Sequence, residues 1–290
     1  MIRPALLTFY FILTVNVAAQ LKPEQISSQQ NLYTGDWLIK PVTQKAGIYS
    51  SADKKDIILY NGLVKRTFRL SPNVVCTDYK NMITGQQLLR AVMPEAVITI
   101  NGKEYNIGGL YGQKEKAYLL PEWLENFTKG ENDFQFVSYE INELKPFIDW
   151  KAGNWWASNR KHPAGKVISF SYGNNLPELK DVVINVHYSL YDGLPLIAKW
   201  VTVENKGNSS FKIDRVKNEV LAMVEEESAV VGQPDRMKKQ QGIYVETNYA
   251  FNNAMRYDIS DQTLHWKTDS SYTSQVNYNY TTPCVLEVYP

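Results

Sequence analysis

From Asp56 onward, short runs rich in Val, Ile, Tyr, Phe and Thr alternate with turn residues. That pattern predicts short antiparallel strands. The run "LYNGLVKRTFRL", residues 59 to 70, hinges two apolar-rich segments on Asn61-Gly62. A type I′ turn there needs positive φ at both central positions, which Asn and Gly tolerate. "AVITINGKEYNIGG" repeats the device at Asn101-Gly102, and "VVINVHYSLYDGLPLIAKWVTVENKG" gives two long strands joined around Asp192-Gly193. Further strands are predicted in "FQFVSYEI", "KVISFSY", "FKIDRV", "GIYVETNY" and "CVLEVY". Helical periodicity is confined to "PEWLENFTKG", a short helix with Pro121 in its first turn and Gly130 beyond its end. Alternating strands and helices, the mark of a (β/α)₈ barrel, are not in evidence. The pattern therefore predicts an all-β antiparallel sandwich over residues 56–290.

The flanks read differently. Residues 20–55 carry Gln, Ser and Pro without a sustained period, predicting an exposed lead-in on which Tyr33 and Trp37 dock. Before it, Arg3 is followed by "ALLTFYFILTVNV" and Ala18-Ala19, the charged, apolar and small-residue order of a secretory signal peptide over residues 1–19. The apolar stretch is shorter than the roughly 20 residues that span a bilayer, so cleavage and a secreted or periplasmic product are expected, with no membrane association afterwards. The final "TTPCVLEVYP" is either the last strand of the sandwich or the point where a longer chain continues; the second is favoured, because the strand pattern stops without a polar tail.

Composition narrows the partners. Among 290 residues, 31 basic and 30 acidic side chains leave a net charge of +1. No like-charge run exceeds Glu225-Glu226-Glu227, so there is no stripe to neutralise nucleic-acid phosphates, and nucleic acid is not an expected partner. Cys76 and Cys284 lie in strand-like runs and read as buried thiols, or as a bridge if their strands are neighbours. Three sequons begin at Asn126, Asn208 and Asn279 and matter only in a host that glycosylates them.

The chemistry searched for along the chain is thin. There is no glycine-rich nucleotide loop and no Gly-x-Ser-x-Gly elbow. His162, His187 and His265 lie far apart, so neither a metal ion nor a cofactor is expected. His187 shares a strand face with Asn185 and Ser189, opposite Val182, Ile184, Val186, Tyr188 and Leu190. It reads as a solvent-facing histidine ahead of a general acid or sugar ligand. Asp149, Asp181, Asp192, Asp214, Glu204, Glu225 and Glu246 offer carboxylates for glycoside hydrolysis, but with 30 acidic residues their presence discriminates nothing, and Asp192 suits a turn. No catalytic residue is assigned.

The densest unusual segment is "FIDWKAGNWWASNRKHP", which sets Trp150, Trp155 and Trp156 beside Asp149, Arg160 and His162 in a loop bounded by Gly153 and Pro163. Aromatic faces stack on sugar rings while polar neighbours bond hydroxyls. Burial in the sandwich or at a domain interface is the competing reading and ranks first, because Trp is highly buried on average. Trp123 faces the same choice, with packing ranked higher still.

Several stretches together, "LYNGLVKRTFRLSPNVVCTDYKNMITGQQLLRAV", "EAVITINGKEYNIGGL", "AYLLPEWLENF", "HYSLYDGLPLIAKWVTVENKG" and "TTPCVLEVYP", resemble the amino-terminal β-domain of secreted bacterial proteins related to the α-galactosidases of glycoside hydrolase family 36. The resemblance covers most of residues 56–290, with "YDGLPLIAKWVTVENKG" the most telling part. It implies a galactose mutarotase-like β-supersandwich, normally followed by a catalytic (β/α)₈ barrel. Such barrels carry an Asp nucleophile after a Lys-Trp-like strand end. Here Lys199-Trp200 is followed by Val201, so the nucleophile is not carried over. The resulting expectation is a non-catalytic, carbohydrate-associated domain that packs on, and shapes the α-galactoside pocket of, a barrel outside this chain. The alternatives are a free-standing carbohydrate-binding module and a mutarotase-like epimerase using a histidine and a carboxylate.

Overall fold

The computed structural model describes residues 21–27, 30–146, 163–224, 243–248, 263–267, 269, 271–272 and 284–289. In chain order the strands are β1 (Glu24–Gln25), β2 (Gly47–Ser50), β3 (Asp56–Tyr60), β4 (Val64–Arg69), β5 (Val75–Asn81), β6 (Leu89–Ala91), β7 (Ala96–Ile100), β8 (Lys103–Ile107), β9 (Gln135–Glu143), β10 (Gly165–Gly173), β11 (Val182–Tyr191), β12 (Ile197–Asn205), β13 (Ile213–Lys217), β14 (Glu219–Met223), β15 (Leu264–Lys267) and β16 (Val285–Val288). Among the described residues one 3₁₀ helix, Pro121–Asn126, interrupts them, where the pattern predicts a short helix. The chain is thus all-β, as its alternating pattern predicts.

The strands form four sheets, ordered β1-β2-β3-β4-β5, β12-β11-β10-β9, β13-β7-β8 and β15-β16-β14-β6. Apart from the two-residue parallel pair β1–β2, the pairings are antiparallel. One apolar cluster joins all four sheets: Leu59 and Phe68 from the first, Phe170 and Tyr188 from the second, Ile98 from the third, Leu221 and Leu286 from the fourth. Phe68 sits 5.2 Å from Phe170 and 4.8 Å from Tyr188, ring centre to ring centre. Burying each such side chain stabilises the sandwich by about 1.5–3 kcal/mol.

The two Asn-Gly turns are built differently. Asn101 and Gly102 both have positive φ, 49° and 79°, and join Ile100 to its partner Lys103 as the type I′ prediction requires. At the first hairpin only Gly62 is left-handed, at 88°, and Tyr60 pairs with Lys65, leaving a longer loop. There Asn61 acts through its side chain. Its Oδ1 accepts the N–H groups of Leu63 and Val64, each at 3.0 Å, while its Nδ2 donates to the carbonyls of Tyr191 and Leu194 at 2.8 and 2.7 Å. The residue is fully buried and braces this hairpin against the β11–β12 turn.

Other expectations shift in detail. The first sheet takes in Gly47–Ser50 from the lead-in, with Ala46 and Ile48 buried. "GIYVETNY" is not a strand: residues 243–248 have no ladder partner, although Ile243 and Val245 pack on the core and Tyr244 is exposed. Side-chain alternation here follows packing alone, without the backbone pairing that defines a sheet. Trp123 packs on a small cluster with Val75, Val92, Leu110, Leu124 and Phe127, the reading ranked first for it. Cys76 and Cys284 are buried free thiols on β5 and just before β16, strands of different sheets.

Candidate functional site

The β12-β11-β10-β9 sheet has two chemically opposite faces, because alternate side chains leave opposite sides of a strand. Val182, Ile184, Val186, Tyr188 and Leu190 of β11 point into the core, each at most 2% exposed. The outer face carries a row that crosses all four strands: Glu140 opposite Ser169, Ser169 opposite His187, and His187 opposite Trp200. A second row runs Ser138, Ser171, Asn185, Thr202.

His187 lies at the centre of this face, and its environment is more built than that of a solvent-facing histidine. Its ring stacks on Trp200 at 4.8 Å between centroids and 12° between planes. Nδ1 is 2.7 Å from Ser169 Oγ and Nε2 is 2.9 Å from Thr202 Oγ1. Burial pushes its pKa below the usual 6.5, so the imidazole is neutral at pH 7, and either hydroxyl can donate or accept. Nearby, Ser171 Oγ donates to Asn185 Oδ1 at 2.6 Å. The result is a neutral surface of hydroxyls, an amide, an imidazole and an indole, suited to hydrogen-bonding and stacking against a polar, uncharged ring. Formal charge enters the row only at its β9 end, with Glu140.

On the other side of the same strands lies a buried charge cluster. Arg66 Nη1 donates to Glu219 Oε2 at 2.7 Å and Nη2 to Glu219 Oε1 at 3.2 Å, a two-pronged pair. Glu95 Oε2 lies 3.8 Å from Arg66 Nη2 and accepts the Tyr188 hydroxyl, while Glu95 Oε1 accepts the Cys76 N–H at 2.6 Å. Lys199 Nζ donates to Glu219 Oε1 at 2.7 Å and to the Glu95 carbonyl. The Arg66 guanidinium also rests over the rings of Phe68, Tyr79 and Tyr188, 4.8 to 5.2 Å from their centres.

Electrostatics explains how Arg66, Lys199 and Glu219 are accommodated there. Burial alone raises the Glu219 pKa, but Arg66 and then Lys199 outweigh it and hold the carboxyl below its usual range. Burial likewise pulls Arg66 down, and Glu219 more than restores it. Lys199 ends lowered by burial despite the pull of Glu219 and Glu95. Two cations face two carboxylates, so the formal charges cancel, and the arrangement ties β4, β12 and β14 to the start of β7. A smaller counterpart holds the fourth sheet: Arg90 donates to Asp269 at 2.9 Å, to Cys284 Sγ at 3.1 Å and to the Lys116 carbonyl at 2.8 Å, with the Tyr272 ring at 4.4 Å.

The residues singled out in the sequence fare unequally. Trp150, Trp155, Trp156, Asp149, Arg160 and His162 lie outside the described residues, as does Glu225. Asp192 lies in the β11–β12 turn, but its carboxylate works at long range, accepting the Ala46 N–H at 2.8 Å and pairing with Lys45. Asp214 accepts the Gly102 N–H at 2.7 Å and pairs with Lys212. Glu204 pairs with Lys206 on the surface, and Asp181 accepts the Lys206 N–H through its carbonyl. The carboxylates that converge within the core are Glu95 and Glu219, neither of them among the candidates named from sequence.

Both missed residues had a signal. Each stands at the entrance of an apolar strand, "EAVITI" and "EVLAM". Arg66 shares strand parity with buried Val64 and Phe68, and Lys199 with Ile197, Val201 and Val203, so alternation places both charges inward. Two charged side chains at inward positions of β-strands call for buried partners. Comparison with protein-family models, with curated proteins and with solved structures returned no match for this chain.

Proposed function

We propose that this chain is the carbohydrate-associated β-domain of an exported, α-galactosidase-like glycoside hydrolase, and that it supplies contact surface rather than bond-breaking groups. The observation that supports this reading is the outer row of the β12-β11-β10-β9 sheet, where a neutral His187 stacked on Trp200 sits among the hydroxyls of Ser169, Ser171 and Thr202. Such a face offers hydrogen-bonding partners and an aromatic edge to a galactoside, with formal charge confined to Glu140 at its β9 end.

A free-standing carbohydrate-binding module is the second reading, and one observation favours it: the whole row comes from one sheet of this chain, so the face needs no second domain to be assembled. The epimerase reading fits less well, because an acid–base pair needs a carboxylate in reach of the histidine. The His187 ring nitrogens face Ser169 and Thr202 instead, and Glu95 and Glu219 lie on the opposite side of the sheet.

Titrating the purified chain with methyl α-galactoside while following tryptophan fluorescence tests the proposal. Saturable binding that Trp200→Ala abolishes supports it. Absence of binding at millimolar sugar, or accelerated mutarotation of freshly dissolved galactose, overturns it.

A further inference from the structure

The turn at residues 33–40 presents apolar side chains that the sandwich leaves uncovered. Asp36 closes it from inside: its Oδ1 accepts the Leu38 N–H at 2.9 Å, and its carbonyl accepts the N–H groups of Ile39 and Lys40 at 3.2 and 2.7 Å. The Tyr33 hydroxyl donates to the Lys40 carbonyl at 2.9 Å, and the Tyr33 N–H donates to the Met82 carbonyl at 2.8 Å, fastening the turn to the end of β5. On this braced backbone Leu38 and Ile39 stand 76% and 82% exposed, the most exposed aliphatic side chains among the described residues. Trp37 is half-buried beside them, and Lys40 follows in solvent.

We propose that this tip is a lipid-contact site, which inserts Leu38 and Ile39 into the interfacial layer of a bilayer with Lys40 at headgroup level. Size favours a membrane over a protein partner. A stable protein interface covers roughly 800 Å² on each side, whereas Leu38 and Ile39, even with the exposed Leu32 nearby in sequence and with polar Asn31, Thr34, Asp36 and Lys40 exposed in the same stretch, offer a small fraction of that. Lipid closes around a point insertion and needs no matching relief. A Trp, two aliphatics and a Lys within four residues also match the order of groups that settle at the membrane–water boundary. The closed turn adds that the insertion requires no ordering of the chain.

The contact is a foothold and not a span: no helix among the described residues is long and apolar enough to cross a membrane. With a net charge of +1, attachment comes from insertion, so it is weak and changes little with salt. The inference rests on the export reading of the leader and is independent of the sheet face, so either can fail without the other. It departs from the expectation that the mature chain leaves the membrane.

Co-sedimentation of the purified chain with phosphatidylcholine vesicles, at low and high salt, tests it. The expected result is a bound fraction that is unchanged by salt and falls roughly tenfold in the Leu38→Asp/Ile39→Asp double variant. Thermal melts of that variant should match the parent, because both side chains stand in water; Ile39→Ser serves if the double variant does not fold. No binding by the parent, or equal binding by the variants, overturns the proposal. So does a parent dimer in sedimentation velocity that the substitutions dissolve, which would make the tip a protein interface.

Discussion

His187 and Tyr188 are chain neighbours on β11, yet they serve opposite sides of one sheet. Tyr188 is fully buried, donates its hydroxyl to Glu95 and lies under the Arg66 guanidinium, in a cluster where four formal charges cancel. His187 is half-buried, neutral, and bonded to hydroxyls under a stacked indole. The inner side shows how charge is kept in a core: each ion is held by an opposite ion and by hydrogen bonds that a missing partner would leave open. The outer side shows polar groups paired with one another, without formal charge, on a half-buried face. Acidic residues in this chain are therefore poor guides to chemistry, since the pair that converges is already fully engaged.

The largest effect should follow removal of one inner partner. Glu219→Ala leaves Arg66 and Lys199 buried without their shared carboxylate and should cost about 3–5 kcal/mol, read from urea unfolding. A loss near that of a surface ion pair would erase the distinction between the two sides.

Thiol reactivity reports whether the inner side is sealed. Burial pushes the Cys76 pKa up to about 12, so Cys76 in the native chain should not react with a thiol reagent at mildly alkaline pH, whereas the unfolded chain exposes it. Rapid labelling of folded Cys76 would mean that solvent reaches the cluster.

The two sides should also separate along the pH axis. Glu219 and Asp269 titrate below their ordinary values of 4.5 and 3.8 when folded, so their contribution is present above those values and is lost as pH falls through the folded ones. His187 is depressed from 6.5, so the unfolded chain takes up its proton first and stability falls as pH drops from 6.5 toward the folded value. Denaturation midpoints measured across pH should show a shallow step below 6.5 that His187→Ala removes and a steeper one below 4.5 that it leaves. The smallest change expected is in stability at neutral pH, where His187→Ala should cost about 1 kcal/mol while weakening galactoside binding.

Much of the architecture was legible. Period-two alternation gave the antiparallel strands, and the inward face of β11 follows residue by residue from Val182 to Leu190. What escaped was what local pattern does not encode. Asn61 was assigned a backbone role, yet its side chain bridges two hairpins about 130 residues apart in sequence. "GIYVETNY" has strand alternation without a partner strand, and pairing is a long-range property. The site was half legible: strand parity puts His187 outward, but its stacking on Trp200 depends on the register between β11 and β12, which no short window contains. The inward charges of Arg66 and Lys199 are legible from strand parity, but their partners Glu95 and Glu219 come from separate segments of the chain, which no short window joins.

The chain has three histidines, which makes the central claim open to one direct measurement: ring-proton spectra during titration with methyl α-galactoside, with His187 identified by its loss in His187→Ala. The account predicts that the His187 resonances move saturably while those of His265, on β15 of another sheet, stay in place. A stationary His187 at saturating sugar would contradict it.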